Sequence, residues 1–148
     1  MISIGCDKAG AAFVERFCKE LEARGLEHQV LFDGLQDGCD YTDAAFMVAK
    51  SVAANKDEKG ILICGTGIGM SIAANKVKGI RAAVCHDTFS ATMTRVHNDA
   101  NVLCLGARVI GEELAVCILH AFLDAEFESG GRHERRVNKI IAAESGEF

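Results

Sequence analysis

Proline is absent from the 148-residue sequence, tryptophan is absent as well, and tyrosine occurs once, at position 41. Without proline, glycine and short polar side chains must make the chain reversals. No apolar run reaches the roughly 18 residues that cross a bilayer, so no membrane-spanning helix is expected. The start, Met1-Ile2-Ser3-Ile4-Gly5-Cys6-Asp7, lacks the basic and long apolar stretches of a secretory signal and reads as a first strand. Positive charge is not in excess: 16 basic and 21 acidic residues leave −5, a field that repels nucleic acid. The seven cysteines include no CxxC pair, and Cys6, Cys64, Cys85 and Cys104 lie in or beside apolar runs. That pattern fits buried, reduced thiols in the cytoplasm rather than a disulfide framework. His28, His86, His120 and His133 lack the spacing of a zinc site, and no metal is expected.

What is present is a globular balance, 49% hydrophobic and 25% charged, at a length that suits one domain over residues 1–148. Short apolar runs at Ile2–Cys6, Gln29–Phe32, Gly60–Cys64, Ile80–Cys85 and Val102–Leu105 predict five strands. Between them Phe13/Phe17/Leu21, Phe46/Val48/Val52, Ile72/Asn75/Lys76 and Leu114/Ile118/Phe122 recur at helical spacing. Strands alternating with helices predict right-handed crossovers and a three-layer α/β/α sandwich around a five-stranded parallel, Rossmann-like sheet. Residues 33–40 read as a mobile loop. From about residue 129, Ser129-Gly130-Gly131 breaks and restarts a helix, giving a helical tail expected to project rather than pack into the sheet.

Ligands of such sheets bind beyond the carboxyl ends of the strands. The residues there are Asp7, the run from Cys64 to Gly69, His86, and Gly106 to Arg108. Cys64-Gly65-Thr66-Gly67-Ile68-Gly69 is a buried strand end feeding a glycine turn and a helix, an arrangement whose backbone N–H groups stabilise an anion. A P-loop would need Gly-Lys-Ser/Thr where Gly69-Met70-Ser71 stands, and a dinucleotide fingerprint would need glycine at Met70. Cys64 beside that helix start is a candidate base, against the reading of a small buried hydrophobe. Asp7 either binds ligand hydroxyls or caps a helix starting near Gly10. His97 is either an acid–base group or a histidine favoured by a helix C-terminus. Arg132 and Arg136, four apart, share a helix face that can grip a phosphate or simply be solvated, whereas Arg135 points elsewhere.

Together these segments resemble the ribose-5-phosphate isomerase B family, which includes the galactose-6-phosphate isomerase subunits. The resemblance runs through Gly5-Cys6-Asp7, Asp40-Tyr41, Ile61 to Lys76, Gly79-Ile80-Arg81-Ala82 and His97 to Val102. It continues through Gly106-Ala107-Arg108-Val109-Ile110-Gly111 and Gly130-Gly131-Arg132-His133 with Arg136. It implies an aldose–ketose isomerase that works through a cis-enediolate without metal or organic cofactor. Cys64 would move the proton, and Thr66 with the amides of Gly65, Gly67 and Gly69 would hold the enediolate oxygen. Asp7, Tyr41 and Asn98 would contact hydroxyls and the reacting end, and His97 would open the furanose ring. Arg132 and Arg136, with Arg108 as a third, would grip the phosphate. The site would be shared across a homodimer, or a dimer of dimers. Two positions depart from the family pattern: Lys8 stands where histidine is usual, and Thr42 where proline is common. The expected reaction is ribose 5-phosphate to ribulose 5-phosphate. The alternatives are galactose 6-phosphate, allose 6-phosphate or a tetrose 4-phosphate as substrate, and a nucleotide-binding module without chemistry.

Overall fold

The computed structural model describes residues 1–55 and 58–147. Five strands form one parallel sheet: β1 (Ile2–Cys6), β2 (His28–Phe32), β3 (Lys59–Cys64), β4 (Ala82–Val84) and β5 (Val102–Gly106), in the order β2-β1-β3-β5-β4. The helices are α1 (Ala11–Ala23), α2 (Tyr41–Ala54), α3 (Ile68–Ala74), α4 (Thr88–Asn98), α5 (Glu112–Asp124) and α6 (Arg132–Ala143). Because alternate strand residues face opposite ways, one sequence run feeds two cores. Ile61, Ile63, Leu103 and Leu105 pack with Phe13, Phe17, Ala91, Ile118 and Phe122 from α1, α4 and α5. Leu62, Cys64, Val102 and Cys104 pack with Val48, Val52, Met70 and Ala74 from α2 and α3. The result is the expected α/β/α sandwich, and each fully buried Phe or Leu in it contributes roughly 1.5–3 kcal/mol.

Two features depart from the expected pattern in detail. β4 covers only Ala82–Val84 rather than Ile80–Cys85. It is the edge strand, and on its open side the Asn75 amide stands in for a neighbour: Asn75 Oδ1 accepts from Ala82 N–H and Nδ2 donates to Ala82 O, both at 2.8 Å. The arrangement satisfies the edge without a further strand. In α3 the buried side chains are Met70, Ala73 and Ala74, whereas Ile68 and Ile72 are 54% and 58% exposed. The Ile72 stripe expected from periodicity therefore faces away from this chain's own core.

The tail stays off the sheet as expected, but it is docked rather than projecting. α6 lies on α4, burying His133 and Val137, and Glu128 N–H donates to Val96 O at 3.0 Å. Among the described residues no helix is long and apolar enough to cross a membrane.

Candidate active site

In a parallel sheet the ligand crevice opens where the connections diverge, beyond the strand ends. Here β1 sends its crossover outward to β2, while β3 lies on its other side, so the divergence lies between β1 and β3. Asp7 and Cys64 stand at those two strand ends, and Asp7 N–H donates to Ile63 O at 3.1 Å, which holds the ends together. They line a cavity of about 420 Å³ with Tyr41, Gly65, Thr66, Ile68, Gly69 and Arg108.

The turn after β3 is built around the cysteine. Gly67 takes φ 77°, a left-handed conformation open to glycine at little cost, and its N–H points back to donate to Cys64 Sγ at 3.1 Å. Burial, with Asp7 and Asp33 adding, pushes the Cys6 thiol up to about 12. Burial, with Asp87 adding, pushes Cys85 up to about 11, and Cys104 is also driven upward, chiefly by burial. Those three are held as thiols, so the alternative of core filler applies to them; Cys64 is buried as well, yet it is among the residues that line the cavity.

Around the turn each wall has an identifiable support. Thr66 Oγ1 accepts from Ile68 N–H at 3.3 Å, leaving its own proton free to donate to a ligand oxygen. Tyr41 begins α2, fixed by the Asp40 N–H to Asp43 Oδ2 bond of 2.9 Å. Its ring lies so close over Gly69 that a Cβ there would be 2.6 Å from it. Arg108 lies over Gly65, where a Cβ would meet its Cδ at 3.4 Å and Nη1 at 3.5 Å. Of the two roles expected of Asp7, the structure shows the capping one: Oδ1 accepts from Ala9 and Gly10 N–H at 2.9 and 3.1 Å, which organises the entry to α1, and the residue also borders the cavity. Lys8 is exposed beside it, and Gly34 of the 33–40 loop rests on the Asp7–Lys8 backbone, so closely that a Cβ on Gly34 would lie 2.4 Å from Asp7 C.

His97, Asn98, Arg132 and Arg136 are not in this cavity. α4 runs from Thr88 near the carboxyl end of β4 back to Asn98 just before β5, so His97 and Asn98 lie at the amino end of the sheet. Eleven helical residues span about 16 Å, and the two groups are separated on that scale within one chain. There they form a cluster of their own. Asp99 closes α4 with φ 46°, and its carboxylate pairs with Arg95 Nη1 and Arg81 Nη2, both at 2.9 Å. Arg81 Nε donates to the Asn98 and Asp99 carbonyls. The imidazoles of His97 and His133 are stacked, and Arg132 and Arg136 are exposed on α6 beside them. Asn98 also borders a mostly apolar groove of about 520 Å³ alongside β4, remote from Cys64.

Two residues that the sequence places near the strand ends, without a role, have one in the structure. Ile68 supplies an apolar wall to the cavity, though it reads as an ordinary helix residue. His86 follows β4, and its Nε2 accepts from Gly106 N–H at 3.1 Å, pinning the end of β5. Gly106 in turn abuts the Thr66 backbone, where a Cβ would come within 2.8 Å. Only the position of His86 after a strand signals this.

Comparison with known proteins agrees with the geometry. The family model for ribose/galactose isomerases matches residues 2–140. Ribose-5-phosphate isomerase B of Escherichia coli is 48% identical over 145 residues, covering 97% of this chain and 95% of that protein. A D-erythrulose-4-phosphate isomerase of Pectobacterium atrosepticum is 49% identical over 131 residues, covering 88% and 86%. The crystal structure of ribose-5-phosphate isomerase B from Mycoplasma genitalium with bound ribulose-5-phosphate superposes with a TM-score of 0.92 at 41% identity, over 97% of this chain and 95% of that one. The nucleotide-module alternative is thereby overturned, and Tyr41 packed on Gly69 occupies the approach a pyrophosphate would need. The chain belongs to the ribose/galactose isomerase family, alongside the ribose-5-phosphate isomerase B proteins, and is a sugar-phosphate isomerase.

Proposed function

We propose that the protein interconverts D-ribose 5-phosphate and D-ribulose 5-phosphate, with Cys64 as the proton-transferring base. The observation that carries this is the Gly67 N–H aimed at Cys64 Sγ at the mouth of the cavity. The thiolate removes the C2 proton of the open aldose, and the electrons of that bond move to make a cis-enediolate, with negative charge on O1. Return of the proton to C1, with transfer of the O2 proton to O1, gives the ketose. Thr66 Oγ1 and the amides of Gly65 and Gly69 face the developing oxyanion, and the Gly67 N–H turns to it as the sulfur takes up the proton and no longer needs that donor. Asp7 Oδ2 and Tyr41 meet the sugar hydroxyls, and Arg108 with Lys8 lies toward the phosphate end.

Ribose 5-phosphate arrives as a furanose, so its C1–O4 bond must break while O4 gains a proton and the O1 hydroxyl loses one. His97 is the group for this step, with Asn98 beside it and Arg132 and Arg136 on the phosphate. Since these lie at the opposite end of the same sheet from Cys64, the reading requires them to come from a second copy. The exposed Ile68 and Ile72 on α3, next to the cavity, supply apolar surface for that association. A homodimer, or a pair of such dimers, is therefore the functional form.

A tetrose 4-phosphate is the second reading, favoured by the 49% identity to an erythrulose-4-phosphate isomerase and by the exposed Lys8 next to Asp7. Comparing kcat/KM over tetrose 4-, pentose 5- and hexose 6-phosphates, including those of galactose and allose, decides it. The pentose should lead by at least about tenfold, or ~1.4 kcal/mol of transition-state binding. A leading tetrose or hexose contradicts the substrate assignment. In heavy water, Cys64→Ala should lose C2–H exchange by about 10²–10⁴-fold. Undiminished exchange contradicts the base.

A further inference from the structure

The isomerisation steps leave His133 without a task, yet its placement is specific. α6 exposes most of its side chains, and the two it buries are His133 and Val137, one turn apart on the face toward α4. The His133 ring lies flat on that of His97, with centroids 4.1 Å apart and planes within 6° of parallel. Burial lowers the pKa of His133. His97, Arg132 and Arg136 push it the same way, while the Glu128 carboxylate, 4.0 Å from Nε2 and largely exposed, opposes them. The ring is thus an uncharged plate at neutral pH, able to lie against a second imidazole without charge repulsion.

The backbone on the other side of His97 is equally constrained. Asp99 holds its left-handed conformation through Arg95 and Arg81, and Arg95 Nη1 also donates to Ala100 O at 2.7 Å. The end of α4 is therefore fixed, and the remaining freedom of His97 is rotation of its ring. A flat neighbour in parallel contact removes that freedom, because turning the ring breaks the stack.

We propose that His133 is a positioning residue for the isomerase: its ring orients the His97 imidazole for ring opening. Since Arg132 and Arg136 flank it on the same helix, docking of α6 sets the ring-opening group and the phosphate grip together. The inference rests on the reading of His97 given above.

Substrate chemistry separates this role from a merely structural one. Ribose 5-phosphate closes to a furanose through O4, but in ribulose 5-phosphate the oxygen needed for a furanose, O5, carries the phosphate. The ketose enters open, so exchange of its C1 hydrogen with solvent reports on the Cys64 step without ring opening.

The test measures ribose 5-phosphate turnover and ribulose 5-phosphate C1–H exchange, by NMR in heavy water, for His133→Ala, His133→Leu, His133→Phe and His97→Ala. His133→Ala should lower ribose turnover by about 10- to 100-fold with ketose exchange kept within about twofold, and the flat ring of His133→Phe should restore most of the turnover. His133→Leu, which fills the space without a flat face, should behave as the alanine variant and serves in its place if that one does not fold. Equal losses in both reactions, or no loss while His97→Ala loses ribose turnover, overturn the positioning role. Full ribose turnover in His97→Ala instead overturns the reading on which it rests.

Discussion

Cys64 differs from its neighbours by one backbone conformation rather than by its own surroundings alone. Cys104, on the neighbouring strand opposite Leu62 and in the same core cluster, is pushed toward the thiol by burial, while Cys64 receives an N–H from Gly67, which adopts φ 77°. Gly67→Ala is the sharpest residue-level test. A Cβ there would sit 3.0–3.2 Å from the Leu105 backbone and impose a left-handed alanine, at a cost of about 1–2 kcal/mol from the conformation alone. Thermal unfolding should shift down accordingly, and kcat should fall with it as the N–H swings away from sulfur; a variant with lowered stability and unchanged kcat would detach the turn from the chemistry. The Cys64–Gly69 segment was legible in the sequence because strand, glycine turn and helix are consecutive. The role of Arg108 over Gly65 and of His86 behind Gly106 was not, since each depends on a partner brought close only by the sheet.

At the level of elements, the last turn of α4 and the first turns of α6 carry half of the proposed site, away from the sheet's carboxyl end. Their contact includes one titratable buried group. His133 has a folded pKa below its ordinary value of 6.5, so the protein favours the neutral ring: the contribution is full above that pH and is lost as pH falls through the lowered folded value. Unfolding temperature measured from about pH 8 to about pH 5 should therefore drop on the acid side, and His133→Phe should flatten that part of the profile. An unchanged profile in the variant would mean that His133 does not report on α6 docking. Sequence periodicity identified these helices but not their partners. Helical spacing at Ile72 or Leu114 says that a stripe exists, not whether this chain covers it, and both residues are left exposed.

At the scale of the whole molecule, strand order explains why the proposed site divides. A parallel sheet collects the residues after its strands at one end, and the helix that follows β4 carries His97 and Asn98 to the other. The α/β/α architecture could be read from the alternation of strand and helix, but strand order is set by long-range pairing and has no local signature. On the proposed mechanism, the same geometry requires a second copy. Cys64→Ala and the double variant Arg132→Ala/Arg136→Ala damage opposite halves of the site, so each alone should be nearly inactive on ribose 5-phosphate. Co-expressed in equal amounts and mixing at random, about half of the dimers would be hybrid with one intact site of two, and the mixture should recover about one quarter of the wild-type activity. A mixture no more active than either variant alone would contradict a site in which Cys64 of one copy works with the arginines of another.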